Sequence, residues 1–231
     1  MKANKPSLIL YFLALVSAMI FDCMNEDILG MYAKSIVLPA IFFYFLTSNN
    51  FKIQKTEAFT FLFCFIGQVY DLMGIETSEI GGVLCFFVVY VLLLKLIVFD
   101  HKKIKLRRKD ILPLSIVVIL IIYLLISVLS LQSDNMKKYN FIYTSYGIIL
   151  SILCYFSYAN YITKGTNIAL LMTLMSTCYM FSDIFYIFNV YFSSSVVLVL
   201  IRDVTQILAY FFMVEYFLEK RKTTKRKLNN N

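Results

Sequence analysis

Asp183 lies in the run Tyr179-Met180-Phe181-Ser182-Asp183-Ile184-Phe185-Tyr186, an apolar stretch that carries a carboxylate and no basic residue. Hydrocarbon offers an ionised carboxylate no partner, so such a residue is expected to face a bundle interior or a cavity and to serve proton transfer, ion binding or charge stabilisation. The next apolar run answers it with Arg202, Asp203 and Gln206, whose spacing of three and four puts them near one face of a helix. Lys34 interrupts an early apolar run, and Gln68 and Asp71 fall near the end of another. Together these residues carry their polar groups toward a shared place within the apolar runs, and that place, rather than an extramembrane domain, is where a function is expected.

Other chemistries find no support in the residue types. The one histidine, His101, sits in a basic loop and reads as a solvated side chain, so neither a histidine triad nor a zinc site is expected. The five cysteines, Cys23, Cys64, Cys85, Cys154 and Cys178, are scattered singly and read as small buried apolar residues. Ser193-Ser194-Ser195 reads as a turn and helix N-cap rather than a nucleophile. No metal and no cofactor is expected.

The elements that hold these groups follow from composition. Of 231 residues 60% are hydrophobic, and only 16% are charged, against roughly 25% in soluble domains. With about 20 residues needed per span, the expected fold is an all-α, polytopic transmembrane bundle of about eight helices. The predicted spans cover residues 7–21, 28–46, 57–73, 80–99, 111–130, 141–158, 167–188 and 195–218. Residues 1–218 thus form a single transmembrane domain, and 219–231 a basic tail whose composition predicts disorder. Gly81-Gly82 is expected to let a neighbouring helix approach closely. The net charge of +8 resides in short loops and the tail, which points to membrane lipids as partners rather than nucleic acid.

Counting basic residues on alternate sides gives orientation, because Lys and Arg are retained on the cytoplasmic face. With the N terminus inside, 17 of the 22 basic residues are cytoplasmic, Lys137 and Lys138 are outside, and Lys34, Lys95 and Arg202 lie within spans. Both termini are therefore expected in the cytoplasm. In a bacterial source the bundle would sit in the inner, cell membrane. Direction then sets depth: Lys34, Gln68, Asp71, Asp183, Arg202, Asp203 and Gln206 all fall in the outer half of the bilayer. A polar cavity there is one reading, and a charge network that only fixes helix packing is the other. Tyr70, Tyr90, Tyr179 and Tyr186 are placed to donate hydrogen bonds into such a cavity.

Three stretches carry a resemblance. They are Lys34-Ser35-Ile36-Val37-Leu38-Pro39; the segment from Phe65 through Gly67-Gln68 to Gly82, Phe86 and Tyr90; and Phe181-Ser182-Asp183 continuing to Asn189 and Phe192. In these and in helix count and order the chain resembles the eight-helix YhhN-like membrane proteins, which include the lysoplasmalogenases. Members of that family usually have aspartate where this chain has Gln68 and commonly histidine where it has Tyr90, whereas Asp183 matches the family's second membrane acid. Asp71, three residues after Gln68, would have to reach the same cavity from the next turn.

The resemblance implies a membrane hydrolase acting on a lysophospholipid vinyl ether. That chemistry needs one acid held protonated and one carboxylate beside an oxocarbenium-like centre. The resemblance assigns the acid to Asp183, the counter-charge to Asp71 or Asp203, and headgroup contacts to Lys34 or Arg202, with Gln68, Gln206 and Tyr90 at the binding site. A catalytically silent lipid-binding homologue and a structural or transporter-like membrane protein stand as alternatives.

Overall fold

The computed structural model describes residues 5–73, 76–101, 107–130 and 139–229. Among them the chain forms α1 (Lys5–Cys23), α2 (Asp27–Ser48), α3 (Lys55–Met73), α4 (Glu76–His101), α5 (Arg108–Ser130), α6 (Asn140–Lys164), α7 (Asn167–Tyr191) and α8 (Val196–Asn229). The loop residues Lys102, Lys103 and Lys105, the residues Lys137 and Lys138, and the side chains of Glu76, Glu79 and His101 lie outside the described residues.

Local chemistry sets the helix ends. Gly165 adopts φ +58°, the left-handed conformation that closes α6, and its N–H returns to the Tyr161 carbonyl at 2.9 Å. The next residue, Thr166, caps α7 by accepting the Ala169 N–H at 3.3 Å. At the start of α3, Glu57 reaches back to the Gln54 N–H at 2.9 Å, one half of a capping box. Ser193 to Ser195 form the turn into α8, and the Ser195 N–H is taken by Asn189 Oδ1 at 3.0 Å.

Seven of the eight helices are long and apolar enough to cross a membrane, and α3 is the exception. The eight helices match the expected number, and α3 is the least apolar of the expected spans. Within its 19 residues α3 carries Lys55, Glu57, Gln68 and Asp71, and it tolerates them because Glu57 and Gln68 turn into the protein. The last helix runs beyond the expected end of its span. Instead of ending near Leu218, α8 continues to Asn229, 34 residues in all, or about 50 Å at 1.5 Å per residue. Arg221, in that extension, forks onto both oxygens of Glu57, donates to the Lys52 carbonyl at 2.8 Å and covers the Phe45 ring. A side chain tied to three other segments of chain gives the segment enough contacts to offset its ordering entropy.

Sequential helices pack as antiparallel pairs, whereas α2 runs parallel to α8, with Lys34 beside Asp203 and, further along both, Phe45 beside Phe217. α7 lies along α8, α1 along α2, and α3 along α4; α6 bridges α4, α5 and α7, while α1 and α2 both lean on α8. The interior is built from large side chains, with Phe45, Phe61 and Phe217 in mutual ring contact and Tyr11, Val37, Ile41, Leu93, Leu153 and Met213 fully buried. The outside is apolar too. Leu112 and Ile119 of α5 are about two-thirds exposed (71% and 68%), as suits a helix whose outer side meets lipid. Gly67 and Gly81 let α3 and α4 close up: a Cβ at Gly67 would stand 3.0 Å from the Phe86 ring, and one at Gly81 3.0 Å from the Tyr70 ring.

Pairing directions place the start of α1 and the finish of α8 at one end of the bundle, since Tyr11 stacks with Phe211 while Asp22 and Asp203 share a partner further along. The polar residues of interest gather toward the opposite end.

Candidate functional site

Two connected groups of polar side chains occupy that far half. The first is a line of charges across α1, α2 and α8. Lys34 Nζ lies 2.8 Å from Asp22 Oδ1 and 2.5 Å from Asp203 Oδ2, and Arg202 Nε donates to Asp203 Oδ1 at 2.7 Å. All four side chains are largely enclosed, so each charge depends on its neighbours rather than on water. Gln68 from α3 joins this group through the backbone, its Nε2 donating to the Lys34 carbonyl at 2.7 Å, while its buried Oε1 has no partner among the described residues. Tyr11 supports α8 at the next level by donating to the Ile207 carbonyl.

The second group surrounds Asp183. Tyr90 of α4 and Tyr146 of α6 both donate to Asp183 Oδ2, at 2.8 and 2.7 Å, and their hydroxyls are 3.1 Å apart. Oδ1 accepts no hydrogen bond from the described residues and opens on a cavity of about 350 Å³. A proton on this carboxyl therefore belongs on Oδ1, because Oδ2 already accepts twice.

The cavity wall has two characters. Asp71, Asp183, Arg202 and Gln206 lie on it with Tyr70, Tyr143, Tyr146 and Tyr186, whereas Ile121, Leu124, Leu125, Val128 and Leu129 of α5 form an apolar side. α5 packs chiefly on α6 and has lipid-facing residues on its other side, so a single helix separates this cavity from the membrane there. Such a chamber matches an amphiphile: a polar head against charged groups and an alkyl chain along α5.

Electrostatics distinguish the carboxylates. Asp203 is held on both oxygens by Lys34 and Arg202 and is not on the cavity wall. Asp71 is on the wall, where it interacts electrostatically with both Arg202 and Asp183. Arg202 also lies over the Tyr186 ring at 5.7 Å. Within this layer four carboxyl groups, Asp22, Asp71, Asp183 and Asp203, meet two described cations, Lys34 and Arg202. Carboxyl groups therefore outnumber cations by two in this layer, and on the cavity wall Arg202 is set against two of them, Asp71 and Asp183.

Of the residues selected from sequence, Asp183, Asp71, Arg202 and Gln206 line one cavity, and Tyr90 stands behind it on Asp183. Lys34, Gln68 and Asp203 lie outside it, in the ion-pair line. Two participants were not singled out. Tyr146 belongs to a span rich in Tyr and Ser with no charge to mark a position, and Asp22 reads as the start of an acidic turn until its contact with Lys34 is known.

An all-α bundle in which seven helices are long and apolar enough to cross a bilayer is a multi-pass integral membrane protein. No protein family, curated protein or solved structure matches the chain.

Proposed function

We propose that the protein is a membrane hydrolase that takes a single-chain vinyl-ether lysolipid into the cavity and cleaves it with Asp183 as proton donor, as the likeness to lysoplasmalogenases implies. The observation that carries the reading is the placement of Asp183, with Oδ2 held by Tyr90 and Tyr146 and Oδ1 turned to the cavity. Asp183 delivers its proton to the alkene carbon and leaves an oxocarbenium ion. Asp71, on the same wall, supplies negative charge beside that ion. Water adds to the cationic carbon and returns a proton to Asp183, and the hemiacetal collapses to an aldehyde and the glycerol hydroxyl of the headgroup. Lys34, enclosed between Asp22 and Asp203, has no place at the wall, so Arg202 is the cation that meets the headgroup phosphate. The asymmetry of basic residues puts both termini in the cytoplasm and the cavity in the outer half of the bilayer.

A silent lipid-binding protein is the second reading. It is favoured by the withdrawal of Asp203 and Gln68 from the cavity, which leaves Asp71 as the remaining described carboxylate beside Asp183.

Aldehyde release from a vinyl-ether lysophospholipid by the purified protein decides between them. Release lost in Asp183→Asn supports the hydrolase, and lipid binding with no release from several vinyl-ether lysolipids sinks it.

A further inference from the structure

The excess of carboxyl groups over cations on the cavity wall leads beyond turnover to a ligand class. We infer that the cavity binds single-chain cationic amphiphiles, alkylammonium ions above all, with the ammonium group between Asp71 and Asp183 and the alkyl chain along α5. This binding requires the cavity and its charge but not hydrolysis.

Three observations carry the inference. The layer holds four carboxyl groups against two described cations: Lys34 is taken by Asp22 and Asp203, and Arg202, itself on the wall, is shared between Asp203 and Asp71, so the two wall carboxylates outnumber the one wall cation. A negative excess in a site walled by low-dielectric protein and lipid is relieved by a proton or by an entering cation. Aromatic rings complete a surface suited to an organic cation, since Tyr70, Tyr143 and Tyr146 share the wall with Asp71 and Asp183, and ring faces attract alkylammonium groups. A metal ion is a poorer occupant, because the described residues contain no group of three or more His, Cys, Asp or Glu side chains placed to hold one. The apolar side, Leu124, Leu125 and Val128, then selects for a hydrocarbon tail over a compact ammonium ion.

The test uses the full chain in maltoside micelles and measures equilibrium binding of radiolabelled decyltrimethylammonium, with decyl sulfate and decanol as probes of matched chain length. Saturable binding of the cation is expected, with neither matched probe competing at equal concentration. Asp71→Asn should weaken it by about thirtyfold, the loss typical of removing one member of an enclosed charge pair. Val128→Trp fills the cavity from its apolar side without touching a charge and should abolish binding while unfolding at the wild-type temperature. Decyl sulfate binding as saturably as the cation, or cation binding indifferent to both substitutions, would overturn the inference. Aldehyde release is followed in the same preparations. Cation binding without release keeps the inference and removes the hydrolase, whereas release that decyltrimethylammonium does not inhibit keeps the hydrolase and removes the inference.

Discussion

Tyr146 on α6 donates to Asp183 on α7 across 2.7 Å, and it does so at the same oxygen that Tyr90 reaches from α4. Three helices are thereby fastened at one carboxylate atom, and the other oxygen accepts no hydrogen bond from the described residues. In the proposed reaction the tyrosines would orient Asp183 rather than replace it.

Tyr146→Phe is therefore expected to act on both stability and chemistry. Loss of one hydrogen bond to the carboxyl should cost about 1–2 kcal/mol in unfolding. Aldehyde release should fall further than that loss of folded protein explains, while Tyr123→Phe, on the exposed side of α5, leaves both unchanged. Equal rates for Tyr146→Phe and wild type, after correction for folded fraction, would remove Tyr146 from the site.

The ion-pair line makes a prediction about pairs. Lys34→Met leaves Asp22 and Asp203 enclosed with one cation fewer, which should cost about 3–5 kcal/mol. Adding Asp22→Asn to Lys34→Met should recover part of it, because the second change removes a stranded charge. Thermal unfolding of the single and double variants in micelles reads this directly, and a double variant less stable than Lys34→Met alone would contradict the arrangement.

Truncation tests the extension of α8. Ending the chain after Leu218 removes Arg221 from Glu57, whereas ending it after Thr224 keeps that contact. The shorter protein should unfold at a clearly lower temperature and the longer one close to wild type. Glu57→Gln in the full chain should reproduce a part of the loss, since it breaks the fork while sparing the α3 cap acceptor.

Orientation is checked with reporter fusions. Fusions after Asn50, after Lys103 and at the C terminus should all report the cytoplasm, and one after Asn25 the opposite side. A C terminus on the outer side would reverse the depth assigned to every residue of the cavity.

Much of this arrangement is legible from residue types because charges in hydrocarbon have few places to go. Asp183, Asp71 and Arg202 are found together since each needs enclosure, and helix direction alone brings them to one depth. Sequence does not say which acid pairs with which base. Asp203 looks equivalent to Asp71 until the 2.5 Å contact with Lys34 removes it from the cavity. Tyr146 was hidden for a different reason: a neutral side chain among many tyrosines carries no cost that marks its position, and its role exists only through α7. The helical residues after Leu218 were hidden because composition reports the mean polarity of a segment and not the single contact, Arg221 with Glu57, that orders it.

The line from Asp22 to Arg202 also bears on how the chain enters the bilayer. Asp22 and Lys34 belong to consecutive helices, and Arg202 and Asp203 are adjacent on one helix. Each couple is neutral before the other has been synthesised, so these four charges can enter lipid as two compensated couples. Because α8 is the last helix in the chain, the 2.5 Å contact between Lys34 and Asp203 can close only after the first hairpin has been made, and it joins two couples that are each already compensated.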